Sequence, residues 1–104
     1  MAVLHLTEAN FQEEVMNAKV PVLIDFWAPW CGPCRMVGPV VEQVATELDG
    51  TVKVGKVNVD EEQRLATAFK VMSIPTLVVV KEGKIVNKVV GYKSKEDIKA
   101  MLGV

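Results

Sequence analysis

The sequence predicts an α/β fold, a mixed five-stranded sheet in the order βαβαβαββα with helices on both faces. Three observations support this fold class. Short apolar runs alternate with segments of helical periodicity along the whole chain. The run over residues 21–27 is apolar at almost every position, which is typical of a strand covered on both faces. Near the carboxyl end, two strand patterns lie close enough together to form a hairpin.

The strand patterns are short and rich in valine. They cover residues 3–6, 21–27, 51–59, 76–80 and 85–90. The last two are joined by Lys81-Glu82-Gly83-Lys84, in which Gly83 is free to adopt the positive φ of a tight turn. Because no repeat, low-complexity tract or linker interrupts the pattern, we interpret residues 1–104 as a single domain.

Four segments carry helical patterns. They cover residues 8–18, 34–49, 60–69 and 94–102. Three of these helices have a candidate capping residue at the start, Thr7, Asp60 and Ser94. The last two caps lie three residues before Gln63 and Asp97, which resembles a capping box. Glycines after the second and fourth patterns are natural stops for a helix.

Composition excludes several classes of protein. The chain has 104 residues, of which 50% are hydrophobic and 24% charged, as in an ordinary globular domain. A formal net charge of −1 gives no reason to expect binding to nucleic acid or to an anionic membrane. No apolar run reaches the roughly 18 residues that cross a bilayer. The amino-terminal residues lack a secretory signal, so we expect a cytoplasmic protein, or an organellar one if a leader has been removed.

Two cysteines spaced as Cys-x-x-Cys are the candidate chemical centre. Cys31 falls at the N-cap position of the second helix, and Pro33 suits its first turn. The start of a helix offers unpaired N–H groups and a partial positive charge, which stabilise the thiolate that attacks disulfides. Gly32 and Pro33 add no charge beside Cys34, so we infer a moderately activated thiol in a reducing couple.

This cysteine pair has two competing interpretations, a structural disulfide and half of a zinc site. A zinc site needs two further ligands, and the chain offers no third cysteine and only His5. A disulfide that closes four residues stabilises a fold by only about 2 kcal/mol in the chain-entropy model, which makes a poor structural crosslink. Redox chemistry is therefore the favoured interpretation, and we expect neither a metal nor an organic cofactor. A zinc-bridged dimer stays open as a minor alternative.

Asp25 is the single acid in the apolar strand before the cysteines, where an unpaired carboxylate is costly. Lys56 follows Val52 and Val54 at the two-residue spacing of a strand, so it is expected on the same face as these valines. Lys53 is expected on the opposite face. If the two strands are parallel neighbours, Asp25 and Lys56 lie near the carboxyl ends where such sheets place their sites. The alternative interpretation of Asp25 is a hydrogen-bonded structural acid.

The segment Trp30-Cys31-Gly32-Pro33-Cys34 resembles the active-site sequence of the thioredoxin family, and the resemblance covers essentially the whole chain. It extends to Asp25-Phe26-Trp27-Ala28, Ile74-Pro75-Thr76, Lys56 and Gly91. The resemblance implies the thioredoxin fold and the activity of a protein-disulfide reductase and electron carrier. It also implies that Cys31 attacks, that Cys34 resolves, and that Asp25 accepts a proton behind Cys34 under the influence of Lys56.

The same resemblance implies a substrate-binding surface. Pro75 is expected to follow a cis peptide bond and to face the cysteines, and the backbone of Ile74 to pair with a bound protein segment. The expected rim of this surface is Trp30, Met72, Ile74, Pro75 and Gly91.

The resemblance further implies the partners. They are disulfide-containing proteins as substrates and an NADPH-dependent flavoprotein, thioredoxin reductase, as electron donor. NADPH and flavin would be bound by the reductase and not by this chain, which we expect to act as a monomer. A disulfide oxidase or isomerase is disfavoured by Gly32-Pro33. The alternative from another class is a binding module with idle cysteines.

Overall fold

The computed structural model describes residues 3–104, and within that range it contains five strands, four α-helices and one π-helix. Met1 and Ala2, with which the predicted domain begins, lie outside the described residues. The strands are β1 (Val3–His5), β2 (Val22–Trp27), β3 (Lys53–Asn58), β4 (Thr76–Lys81) and β5 (Lys84–Val90). The helices are α1 (Glu8–Phe11), α2 (Gly32–Glu47), α3 (Gln63–Ala68) and α4 (Lys95–Leu102).

The strands form one sheet in the order β1-β3-β2-β4-β5. Strands β1, β3 and β2 are parallel, whereas β4 runs antiparallel to β2 and β5 antiparallel to β4. The predicted mixed sheet of five strands is therefore confirmed. In the centre of the sheet, Asp25 of β2 lies opposite Lys56 of β3 on one side and Leu77 of β4 on the other.

The sheet separates two apolar cores, because successive side chains of a strand point to opposite faces. Leu23 of β2 packs with α2 and α4 on one face. Ile24 and Phe26 pack with α1 and α3 on the other. Helices on both faces, as predicted, bury the apolar run of β2, of which five of six residues are buried. Within residues 3–104 no helix combines the length and the apolar character needed to span a membrane.

The first helix is shorter than predicted and changes its type. Thr7 is the N-cap, as expected, and its backbone N–H donates to the side chain of Asn10 at 2.8 Å. After α1 the chain continues as a π-helix over Gln12–Met16. The N–H of Asn17 donates to the carbonyl of Gln12 five residues back, which closes a wide final turn and ends the helix two residues before the predicted boundary.

The predicted capping box at the start of the third helix is wrong. The N-cap of α3 is Glu62, and the helix begins at Gln63. Asn58 takes the role expected of Asp60, because its Oδ1 accepts the N–H groups of Asp60 at 2.9 Å and Glu61 at 3.3 Å. This Asx turn ends β3 one residue before the predicted strand end and delays the helix.

The other boundaries agree with the predicted ones or differ from them by at most two residues. Helix α2 starts and ends two residues earlier than predicted, and Pro39 lies inside it. In the hairpin, Lys81 and Lys84 are paired, so the turn consists of Glu82 and Gly83, both with positive φ. The expected positive φ of Gly83 is confirmed.

Candidate active site

Helix α2 begins directly at the cysteine motif. Cys31 is its N-cap, with extended backbone at φ −90° and ψ 116°, and its carbonyl accepts the N–H of Arg35 at 3.3 Å. Pro33 lies in the first turn, where its missing N–H removes no helical hydrogen bond. The N–H of Cys34 donates to Sγ of Cys31 at 3.2 Å. The sulfur of Cys31 thus receives both a hydrogen bond and the positive end of the helix dipole.

Cys31 and Cys34 are joined by a disulfide, with their Cα atoms 5.3 Å apart. Their exposed fractions are nearly equal, 5% and 4%, so accessibility alone does not separate attacking from resolving cysteine. Their surroundings differ more. Sγ of Cys31 lies 3.7 Å from the carbonyl oxygen of Ile74, a contact that becomes a possible S–H hydrogen bond when the thiol is protonated.

The loop before β4 faces this disulfide. The peptide bond between Ile74 and Pro75 is cis, as expected from the family resemblance. The carbonyl of Pro75 accepts the N–H of Gly91 at 2.8 Å, so Gly91, whose φ is +97°, lies beside the proline. The hydroxyl of Thr76 donates to the carbonyl of Ser73 and holds the other side of the loop.

An apolar pocket of about 410 Å³ lies next to the disulfide. Three of the five expected rim residues line it, namely Trp30, Met72 and Ile74. Pro75 and Gly91 adjoin it through the loop but do not line it. The sequence interpretation missed the remaining lining residues, Val59, Ala66, Val71 and Ser73. The one available signal was that Val59 follows the carboxyl end of a parallel strand.

Asp25 and Lys56 are brought together, as the sequence predicted. They are paired residues of β2 and β3, and Lys53 points to the opposite face, where it forms a 3.0 Å ion pair with Glu14. Asp25 is 3% exposed, and its Oδ1 has no hydrogen-bond partner within residues 3–104. Burial raises the pKa of Asp25 from 3.8 to about 7, and the nearby Lys56 ammonium opposes that rise.

Lys56 also contacts Trp27, the last residue of β2. Nζ of Lys56 lies 4.4 Å from the centroid of the indole ring, a cation–π distance. Trp27 is half-buried, and its Nε1 has no hydrogen-bond partner in the described part of the chain. The aromatic face therefore holds the lysine on the same side of the sheet as Asp25.

A second cavity, of about 470 Å³, connects Asp25 with the surface of α2. Gly38 and Glu42 line it together with Asp25 and Lys56. Gly38 is four residues after Cys34, so it lies below that cysteine on the same face of the helix. The sequence interpretation missed Gly38 and Glu42, because the helical pattern marks them as an ordinary small residue and a solvated charge.

Residues 3–104 contain no cluster of three or more His, Cys, Asp or Glu side chains placed to hold a metal ion. The chemistry of the described site is therefore that of a disulfide at a helix start, a buried carboxyl group and an apolar pocket.

Comparison with known proteins gives the family. The family model described as Thioredoxin matches residues 2–103. A protein named Thioredoxin from Pyropia yezoensis is 46% identical over 102 residues, which cover 98% of this chain and 95% of the relative. Thioredoxin 1 from Nostoc sp. is 48% identical over 101 residues, with 97% and 94% covered. Thioredoxin 1 from Synechococcus elongatus is 52% identical over 90 residues, with 86% and 84% covered.

The match spans the sheet, the cysteine motif and the loop before β4, so it concerns the whole described fold. Disulfide-containing proteins are the general kind of substrate for this family, and thioredoxin reductase is the general kind of electron donor. The chain belongs to the thioredoxin family of protein dithiol–disulfide oxidoreductases, and Cys31 and Cys34 form its redox-active disulfide.

Proposed function

We propose that Cys31 is the attacking nucleophile and Cys34 the resolving cysteine in the reduction of protein disulfides. The observation that carries this assignment is the N-cap position of Cys31, whose sulfur accepts the N–H of Cys34 at 3.2 Å. In the reduced state this hydrogen bond and the helix dipole favour the thiolate of Cys31. Cys34 lies inside the first turn and lacks that advantage.

The reaction has two balanced steps. The Cys31 thiolate attacks one sulfur of the substrate disulfide, forming a mixed disulfide and releasing the other substrate sulfur as a thiolate. Cys34 then loses its proton and attacks Sγ of Cys31, which forms the Cys31–Cys34 disulfide and releases the second substrate sulfur. Two electrons pass to the substrate, and an NADPH-dependent thioredoxin reductase returns two electrons to this chain.

Asp25 is proposed as the group that accepts the proton of Cys34, with Lys56 modulating its affinity for that proton. A pKa of about 7 lets the carboxyl both accept and release a proton near neutral pH. The cavity of about 470 Å³ that Asp25 shares with Gly38 is roomy enough for water to relay the proton from the helix face that carries Cys34.

The substrate-binding surface is proposed to be the pocket rim and the loop before β4. Trp30 and Met72 are 66% and 92% exposed, so they offer apolar contacts beside the disulfide. Within residues 3–104, neither the N–H nor the carbonyl of Ile74 takes part in a backbone hydrogen bond. An extended substrate segment can therefore pair with Ile74 in β fashion, next to Pro75 and Gly91.

Single-cysteine variants test the cysteine roles. Cys31→Ser should abolish the reduction of insulin by thioredoxin reductase and NADPH, because no nucleophile reaches the substrate. Cys34→Ser should attack once and then stall as a mixed disulfide that mass spectrometry detects. Trapped substrate on the Cys31→Ser variant alone would reverse the assignment. A wild-type protein that reduces no insulin at all would favour a binding module.

We also propose that residues 1–104 act as one domain, as a monomer and in the cytoplasm. One sheet contributes to both apolar cores, which supports a single folding unit. A reducing couple works where the surrounding thiol pool is kept reduced, which supports the cytoplasm. Light scattering of the purified protein and fractionation of cells that express it test the last two proposals.

A further inference from the structure

The side chain of Trp30 is exposed to solvent, yet a hydrogen bond restrains it. Two thirds of its surface is open to solvent, yet its indole Nε1–H donates to Oδ2 of Asp60 at 2.9 Å. The acceptor is a carboxylate, which forms stronger hydrogen bonds than a neutral oxygen. This bond spans thirty residues of sequence and ties the residue before the attacking cysteine to the loop after β3.

The loop that carries Asp60 is itself held in place. Asn58 is buried, and its Oδ1 accepts the backbone N–H of Asp60 at 2.9 Å. The N–H of Val59 donates to the carbonyl of Trp27 at 2.9 Å, which fastens the loop to the end of β2. The carboxylate of Asp60 is therefore presented from a fixed backbone, and the hydrogen bond can restrict the indole.

The indole restricted in this way forms one wall of the apolar pocket of about 410 Å³ beside the disulfide. An indole that is free to move must be ordered when a substrate binds, and that ordering opposes binding. A small disulfide that reacts at Sγ of Cys31 makes little use of the wall. A disulfide within a polypeptide segment contacts both the sulfur and the wall.

We propose that Asp60 is a positioning residue that fixes the Trp30 indole and thereby favours disulfides within polypeptides over small disulfides. The inference rests on the proposed function, since it concerns the substrate-binding surface of that reaction. Asp60 does not touch the reacting sulfurs. It acts through Trp30, on the binding of substrate and not on the exchange of the bond.

Asp60→Ala tests the inference in single-turnover oxidation of the pre-reduced protein by excess insulin. The half-saturating insulin concentration should rise about fivefold while the limiting rate stays within about twofold of wild type. The rate with hydroxyethyl disulfide should not change. Asp60→Asn keeps an oxygen that accepts from the indole, so it should restore most of the affinity for insulin.

Glu61→Ala is the matched control, because it removes the same charge from the next residue. The side chain of Glu61 makes no hydrogen bond or ion pair within the described residues, so its variant should behave as wild type. A second readout is independent of activity. In the Asp60→Ala variant, the indole ¹⁵N–¹H signal of Trp30 should shift and its order parameter fall, whereas the signal of Trp27 should not move.

Several outcomes overturn the inference while leaving the proposed function intact. They are an unchanged affinity for insulin, an equal loss with both disulfides, an effect of Glu61→Ala as large as that of Asp60→Ala, and a failure of Asp60→Asn to restore affinity. A wild-type protein that reduces no polypeptide disulfide would instead contradict the proposed function, and the inference with it.

Discussion

The ionisation of Asp25 depends strongly on the fold. Its neighbours along β2 are apolar on both sides, and the sheet covers it from β3 and β4. Burial raises its pKa to about 7, with Lys56 acting in the opposite direction. Because the pKa is higher in the folded than in the unfolded chain, an ionised Asp25 destabilises the fold above the unfolded pKa.

Asp25→Asn should therefore stabilise the oxidised protein at neutral and higher pH. The difference between a folded pKa of about 7 and the usual value of 3.8 corresponds to about 4 kcal/mol. Burial of an unpartnered amide would offset about 1–3 kcal/mol of that gain. The net gain should be about 1–3 kcal/mol at about pH 8 and should shrink as pH falls below 7 toward about 3, where wild-type Asp25 is mostly protonated in both states.

Urea unfolding of both proteins across this pH range measures the difference. Asp49→Asn is the control, because it removes the same formal charge at an exposed position and should show no such pH-dependent gain. A stability difference between wild type and Asp25→Asn that stays constant from acid to neutral pH would contradict the assigned burial effect.

In the same variant the second exchange step, the attack of Cys34 on the mixed disulfide, should slow, because Cys34 loses its proposed proton acceptor.

At this scale the sequence could identify residues whose type is unusual for their place. Asp25 stands out as an acid inside an apolar strand, and Lys56 as a lysine at a position spaced like buried valines. The cysteine pair stands out by its spacing. The hydrogen bond between Trp30 and Asp60 and the contact between Lys56 and Trp27 do not stand out in this way. The first joins residues thirty positions apart and the second residues twenty-nine apart, and no local pattern shows which distant side chains meet.

The elements were predicted well in type and less well at their ends. Apolar periodicity depends on a whole segment, so a strand or helix is recognisable even when its last residues are ambiguous. The ends depend on single hydrogen bonds. The side chain of Asn58 decided where α3 begins, and the carbonyl of Gln12 accepted a bond from five residues on and so widened the first helix.

The start of helix α4 is determined by one side chain, that of Ser94. Ser94 has extended backbone, and its hydroxyl accepts the N–H of Asp97 at 3.1 Å, as the sequence predicted. Ser94→Ala should destabilise the protein by about 1 kcal/mol, because one N–H of the first turn loses its acceptor. Ser94→Asp keeps an acceptor and should stay near wild type. Thermal unfolding measures both variants, and equal losses in the two would show that the hydroxyl does not act as a cap.

The whole fold followed from the sequence because its parts constrain one another. Parallel strands need crossovers, and the crossovers here have helical patterns. The pockets could not be predicted from the sequence. The pocket beside the disulfide draws its lining from the active-site turn, the end of β3, helix α3 and the loop before β4. Its shape depends on how these four segments pack, which apolar periodicity does not specify.

Because β2 contributes alternate side chains to both cores, damage to one core should weaken the entire molecule. Ile98 of α4 is fully buried in the core that contains Leu23 of β2. Ile98→Ala should cost about 2–5 kcal/mol through lost contacts and a cavity. That loss is smaller than or comparable to the typical 5–15 kcal/mol stability of a domain, so the variant should still fold.

Urea unfolding tests whether the two cores unfold in one transition. It is followed with two probes: tryptophan fluorescence, which reports on the region near the active site, and far-UV circular dichroism, which reports on all helices. For Ile98→Ala both midpoints should fall together by about 1–3 M, since one cooperative transition moves every probe equally. Ile85→Ala removes the same atoms from an exposed position of β5 and should change the stability by less than about 0.5 kcal/mol. If the dichroism midpoint fell while the fluorescence midpoint stayed, the two faces of the sheet would unfold separately, and residues 3–104 would not behave as one domain.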